Sequence, residues 1–223
     1  KFPGGGAVIL GLLAWPAHAL EFSDQFERDF PIRSFGELQV ANLRGGIEIH
    51  GWSLDKIRVK ARRRVEAATQ EEAKKQIEAL DVRFSSLGLG LELSAEYGKN
   101  LSIEERLRER KTPRTSMDLV IYAPAAMDLR VWTVEGKVTV VEWGHSLEIR
   151  TAKGAVKVLN SRSKQLSVLC PSCEIWVSGA RGTVRCMGGT GDVRVENIEG
   201  KDVFVETQSG AITSRQVSGR QLY

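Results

Sequence analysis

From Leu129 onward the chain repeats itself every 18 or 19 residues, and this period constrains the fold more than any other feature. Leu129, Leu147, Leu166, Val184, Val203 and Leu222 open successive units at steps of 18, 19, 18, 19 and 19. Val131, Ile149, Val168, Cys186 and Val205 follow two residues later; Thr133, Thr151, Cys170, Gly188 and Thr207 follow four later. Strand side chains alternate between faces, so positions i, i+2 and i+4 point one way. A second alternating set follows a break at Gly136, Gly154, Cys173, Gly191 and Gly210: Val138/Val140, Val156/Val158, Ile175/Val177, Val193/Val195 and Ile212. Glycine reaches positive φ without a Cβ clash, which suits a bend between two strands. No single unit can bury its own apolar row, but stacked units can. The expectation is an all-β chain, a parallel β-helix or β-solenoid of 18–19-residue rungs with one helix inserted near its N-terminal part.

Residues 1–19 read as a signal peptide. Lys1 precedes an apolar run from Gly6 to Trp15, and Ala17-His18-Ala19 places small residues at the cleavage positions. The run is too short to span a bilayer. The expected location is extracytoplasmic, periplasmic or secreted, after cleavage. Residues 20–123 read as an N-terminal β region and 124–223 as the regular repeats, truncated at the C-terminus because Tyr223 falls at the start of a new unit. An earlier copy occurs at Leu38, Val40, Asn42, Gly45, Ile47 and Ile49, read with one extra residue before Ile47. Trp52, Trp143, Ser161, Ala180, Ile198 and Val217 share an offset that marks a third corner. Helix formers near 66–80, with Glu71–Lys75 spaced four apart, predict the helix; Thr69 is its N-cap and Glu72 lies three residues on. Segments 56–61, 87–97 and 117–124 alternate as strands.

The 32 basic and 28 acidic residues leave a net charge of +4, with basic clusters at 56–64 and 106–114. These read as a solvated strand edge and loop, with peripheral membrane contact as the functional alternative and no specific nucleic acid expected. Past the signal region only His50 and His145 remain, neither in a His-x-x-x-His or Ser-His-Asp context. Asp192 and Asp202 fall at a turn and a strand edge. No catalytic residue, metal ligand or cofactor is assigned. Cys170 and Cys173 span the position of a bend glycine. They are either a local disulfide or free core thiols, with a redox or metal role as a third reading. Cys186 falls in the inward row and reads as a small core hydrophobe.

The outward positions carry the candidate binding surface: Trp132, Arg150, Leu169, Trp176, Met187, Arg194 and Phe204. Trp132 beside Arg150, and Trp176 between Lys157 and Arg194, are placed for cation–π stacking from unit to unit. An apolar stripe of this kind is either a partner surface or is covered by the N-terminal segment, the 66–80 helix being one candidate.

The stretch FPIRSFGELQVANLRGGIEIHGW, the charged helix, MDLVIYAPAAMDLRVWTVEGKVTV and the recurring T/N-x-x-G-x-V-x-V units resemble the bacterial "putative adhesin" family of repeat domains over nearly the whole mature chain. The resemblance implies an extracytoplasmic β-solenoid without an established catalytic residue. The expected function is a non-catalytic, adhesin-like scaffold or binding module of the cell envelope, whose partner is an envelope polymer or protein. The alternatives are an envelope-stress regulator acting through a protein partner and a polysaccharide-active β-helix enzyme. The chain departs from the family pattern at Cys170-Pro171-Ser172-Cys173 and at Gly188-Gly189.

Overall fold

The computed structural model describes residues 20–32, 36–87, 90–97, 115–219 and 221–222; the signal-like region 1–19 and the basic segment 106–114 lie outside the described residues. Among the described residues the fold is all-β with one helix. Its elements run β1 (Leu20–Pro31), β2 (Glu37–Arg44), β3 (Ile47–Trp52), β4 (Lys56–Ala67), α1 (Gln70–Glu78), β5 (Leu80–Leu87), β6 (Gly90–Tyr97), β7 (Thr115–Pro124), β8 (Asp128–Val141), β9 (Leu147–Leu159), β10 (Gln165–Ser178), β11 (Arg181–Thr190), β12 (Val193–Ser209), β13 (Ile212–Ser218) and β14 (Gln221–Leu222). The strands join one large mixed sheet whose main path is β1-β4-β7-β3-β8-β9-β10-β11-β12-β13, open at both ends.

The sequence period reappears as parallel pairing. Leu129 pairs with Leu147, Leu147 with Leu166, Leu166 with Val184, and Val184 with Val203. Past the bend, Val138, Val156, Ile175, Val193 and Ile212 pair in the same succession. From Leu129 to Val203 and from Val138 to Val193 these residues are at most 2% exposed, and both rows feed one core. The earlier copy pairs directly onto the first regular unit, Leu38 with Leu129, Asn42 with Thr133 and Ile47 with Val138. No extra residue precedes Ile47, because Arg44 pairs with Glu135 in the same unbroken register.

Two conformational ladders make the corners. Gly136 and Gly154 lie at φ +154° and +134°, and a Cβ on Gly154 would stand 2.0 Å from the Gly136 carbonyl oxygen. The bend thus needs glycine for both conformation and close approach. The second ladder carries no uniform residue type in the sequence. Glu142, Asn160, Gly179, Asn197 and Gln216, one per unit, hold positive φ of 58°, 53°, 69°, 53° and 49°. Asparagine tolerates this region better than most residues, but Glu and Gln occupy it here too. The expected third corner follows one residue later, where Trp143, Ser161, Ala180 and Ile198 are at most 1% exposed. Trp143 donates Nε1–H to the Met127 carbonyl at 3.0 Å, which removes the cost of burying its one polar group. Trp52 departs from this row: it is half-buried and donates to the Lys56 carbonyl at 2.9 Å.

The N-terminal strands β1, β4, β7 and β3 make up one end of the sheet path. Thr69 Oγ1 accepts from Glu72 N at 3.2 Å and Glu72 accepts from Ala68 N at 3.3 Å, so α1 starts on the expected capping pair. The helix packs through Ala73 against β4, β1 and β5. It therefore is not the element that covers the outward residues of β8–β12, which removes the helix as the candidate cover. The basic segment 56–64 is likewise not a sheet edge. It belongs to β4, which lies between β1 and β7 and pairs antiparallel with both.

Candidate functional site: two outer surfaces

Each unit presents two outward surfaces, one on either side of its bend. On the first, Ala41, Trp132, Arg150, Leu169, Met187 and Glu206 are register partners from β2 to β12. Trp132 is 40% and Leu169 41% exposed, large values for apolar side chains within a sheet. Arg150 stands between them but turns to its own strand, where Glu148 accepts from Nε at 2.6 Å. Among the described residues no cation lies over the Trp132 ring; the expected Trp132–Arg150 stack is replaced by this ion pair. Met187 is half-buried. Phe204 belongs to the neighbouring outward row, with the Arg185 guanidinium 5.5 Å from its ring centroid. That row is charged nearer the N-terminus, where Arg130 bridges Glu37 at 2.8 Å and Glu148 at 3.4 Å.

Trp176 and Arg194 lie on the second surface, past the bend. There the expected stacking is present: Lys157 Nζ stands 4.0 Å and Arg194 Cζ 5.4 Å from the Trp176 centroid. Arg194 also donates to Glu196 at 2.7 Å, and this hydrogen bond holds the Glu196 carboxyl below the usual carboxylate range. The seven candidate residues thus divide five and two between separate surfaces and do not form one stripe.

The second surface carries an aromatic group that the sequence reading missed. Tyr122 of β7 lies 5.1 Å from His50 and 5.6 Å from Trp52, centroid to centroid. Lys56 and Arg58 each approach the Trp52 ring at 5.9 Å. Only the parallel pairing of β7 with β3, residues about 70 apart in sequence, brings Tyr122 beside His50; no local signal announces it. Beside it runs a shallow cavity of about 740 Å³ lined by Glu48, Lys60, Arg62, Val120 and Thr139, among others.

The titratable residues weighed as chemical groups are engaged structurally. His50 Nε2 lies 2.7 Å from Glu48, and His145 Nδ1 2.6 Å from Asp128. Burial pushes Asp128 upward, but hydrogen bonds from His145 and Ser146 outweigh it and keep the carboxyl low. Asp192 accepts from the Ala211 backbone at 2.8 Å. Among the described residues no group of three His, Cys, Asp or Glu is placed to hold a metal ion.

Cys170 and Cys173 are joined by a disulfide that spans the bend, with both residues at most 5% exposed. The next unit is shaped to it. Gly188 pairs with Cys170, and a Cβ on Gly189 would stand 2.3 Å from the Pro171 carbonyl oxygen. The disulfide-bearing bend thus requires Gly189 to lack a side chain, whereas a Cβ on Gly188 would meet Val193 and Thr207 at 3.2 and 3.3 Å. Cys186 is free and buried, and burial pushes its thiol up to about 12. A thiol so disposed is a poor nucleophile.

No helix among the described residues is long and apolar enough to cross a membrane. No family model matches the chain, and no curated protein matches it. Solved structures resemble it distantly. A putative cell adhesion protein from Clostridium sporogenes is 10% identical at TM-score 0.40, over 90% of this chain and 99% of that one. A putative adhesin from Bacteroides fragilis is 11% identical at TM-score 0.35, over 86% and 97%. A putative lipid binding protein from Parabacteroides distasonis is 9% identical at TM-score 0.30, over 90% and 97%. The chain is similar to structures described as adhesins, at a distance too great to carry an argument about its activity.

Proposed function

We propose that this chain is a non-catalytic, adhesin-like binding module of the bacterial cell envelope, exported by residues 1–19. Residues 20–123 form its N-terminal β region, and residues 124–223 stack as a β-solenoid of 18–19-residue rungs. The observation that carries the reading is the exposure of Trp132 and Leu169, 40% and 41%, on one outward row that α1 does not reach. Burying two such side chains against a partner is worth roughly 1.5–3 kcal/mol each at full burial. Around them the charged groups are paired, Arg150 with Glu148 and Arg130 with Glu37 and Glu148. An apolar centre within a paired polar rim is the composition of a recognition surface. The partner is an envelope polymer or an envelope protein. Lipid headgroups are the lesser reading, because β4 has most of its cations already paired with Asp29, Glu27 and Asp118.

The test is capture. The immobilised mature chain is exposed to purified envelope fractions beside a Trp132→Ser/Leu169→Ser variant of unchanged circular dichroism. Retention by the wild type and loss by the variant supports the surface; equal retention by both sinks it.

A further inference from the structure

Side-chain size leaves a recess in the second surface. Two register rows cross it. Lys60, Val120, Glu48 and Thr139 are successive partners on β4, β7, β3 and β8. In the neighbouring row Arg62 pairs with Asp118, whose carboxyl accepts from Gly46 N at 2.8 Å, and Lys137 directly precedes Val138, the partner of Ile47. Gly46, Val120 and Thr139 are short, while Lys60 and Arg62 stand on one side of them and Lys137 on the other. This is the shallow cavity of about 740 Å³. The three carboxylates that line it are already engaged: Glu27 with Arg58 at 3.1 Å, Glu48 with His50 at 2.7 Å, and Asp118 with Arg64. Arg62 and Lys137 are exposed and meet no carboxylate among the described residues.

Two cations without partners, facing each other across a recess whose acids are held by local bonds, make a place for an anion. We propose that this recess binds an acidic oligosaccharide, with Arg62 and Lys137 taking the carboxylates of its uronate units. Three strand steps separate their Cα atoms by about 14 Å, so two side chains of this length close on one or two sugar units from opposite sides. The guanidinium of Arg62 matches a carboxylate in two parallel hydrogen bonds. The surroundings favour a glycan over an acidic peptide. β4, β7, β3 and β8 are each paired on both sides, which leaves no backbone edge for a peptide strand to join. A sugar needs side chains alone: Thr139 and Gln25 meet hydroxyls, and Val120 meets a C–H face. A flat lipid surface would bring its phosphates against Glu27 and Glu48 as closely as against the cations. The recess lies on the second surface and does not rest on the reading of Trp132 and Leu169, which belong to the first.

The probe is a galacturonate tetrasaccharide, titrated by calorimetry into the full chain at low ionic strength, beside the same tetrasaccharide with its carboxyls reduced. The acidic form should bind and the reduced form should not. Arg62→Gln/Lys137→Gln should weaken binding by roughly tenfold or more. Gly46→Leu should do the same with the net charge unchanged: a Cβ there meets its nearest atom at 3.5 Å, and the rest of the side chain enters the recess. Arg162→Gln/Lys164→Gln removes the same charge from exposed positions elsewhere and should bind as the wild type does, as should Trp132→Ser/Leu169→Ser. Unchanged melting temperatures establish that each variant is folded. Failure of the wild type to bind the acidic tetrasaccharide overturns the proposal. So does a loss from Arg162→Gln/Lys164→Gln as large as that from Arg62→Gln/Lys137→Gln, which would reduce the effect to overall charge. Binding of tetraglutamate as tight as that of the tetrasaccharide would assign the recess to an acidic protein segment and overturn it too. Loss from Trp132→Ser/Leu169→Ser alone would move the glycan to the first surface, supporting that site and removing this one.

Discussion

Lys157 Nζ stands 4.0 Å from the centroid of the Trp176 ring, and Arg194 approaches the same ring from the following unit at 5.4 Å. Trp132, also outward, has no cation over its ring among the described residues and is 40% exposed. One tryptophan is built into its surface; the other is left available. Trp176→Ala should therefore cost about 2 kcal/mol, combining lost area with two cation–π contacts. Trp132→Ser should stay within about 1 kcal/mol. Urea unfolding of the two variants measures the difference, and equal losses would mean that Trp132 is also a packing residue.

The glycine ladder makes a sharper prediction. Gly154→Ala places a Cβ 2.0 Å from the Gly136 carbonyl oxygen at φ +134°, against backbone that cannot step aside. The cost should be about 2–4 kcal/mol. Gly46→Ala, whose Cβ meets its nearest atom at 3.5 Å without positive φ, should change stability by less than about 1 kcal/mol. Melting temperatures of the pair separate a steric ladder from a general intolerance of substitution.

The disulfide closes a loop of only four residues, so the chain-entropy estimate of its contribution is small, about 2 kcal/mol. Reduction should lower the melting temperature by roughly 4–8 °C without dismantling the fold. Calorimetry with and without reductant reads this directly. A complete loss of the transition would show that the bend cannot close without the bond.

Cys186 gives a pH dependence with a definite sign. Its folded value is raised from 9.0 to about 12 by burial. Below about 9 both folded and unfolded chains keep the thiol protonated, and its contribution is fully present. As pH rises from 9 towards 12 the unfolded chain releases the proton and the folded chain does not, so stability falls by up to about 1.4 kcal/mol per pH unit. Cys186→Ala should lack this component of the alkaline slope. Native protein should also resist a maleimide that labels it at once in urea.

Much of this architecture was legible because the relevant signals are local or periodic. The 18- and 19-residue steps from Leu129 to Val203 set the pairing register, and Thr69 with Glu72 fixed the start of α1. β1 is not legible as a strand because Asp24 and Arg28 sit where apolar residues would mark an inward face. Their partners, Arg63 and Asp81, lie 39 and 53 residues away. The positive-φ corner was hidden for a different reason: Asn160 and Asn197 signal it, but Glu142 and Gln216 in the same place do not. The sequence already places Trp132 before the bend of its unit and Trp176 after the bend of its own, on first and second strands; a single stripe joins two strands that the register keeps in separate rows.

The measurement that bears most directly on the central claim is the equilibrium affinity of the mature chain for whichever envelope component it retains, compared with that of Trp132→Ser/Leu169→Ser. Trp176→Ser serves as the comparison from the second surface. Burial of the exposed pair predicts an affinity loss of tenfold or more, about 1.4 kcal/mol per tenfold, for the double variant and little change for Trp176→Ser. An unchanged affinity for the double variant, or a greater loss from Trp176→Ser, would contradict the assignment of the binding face to the row that carries Trp132 and Leu169.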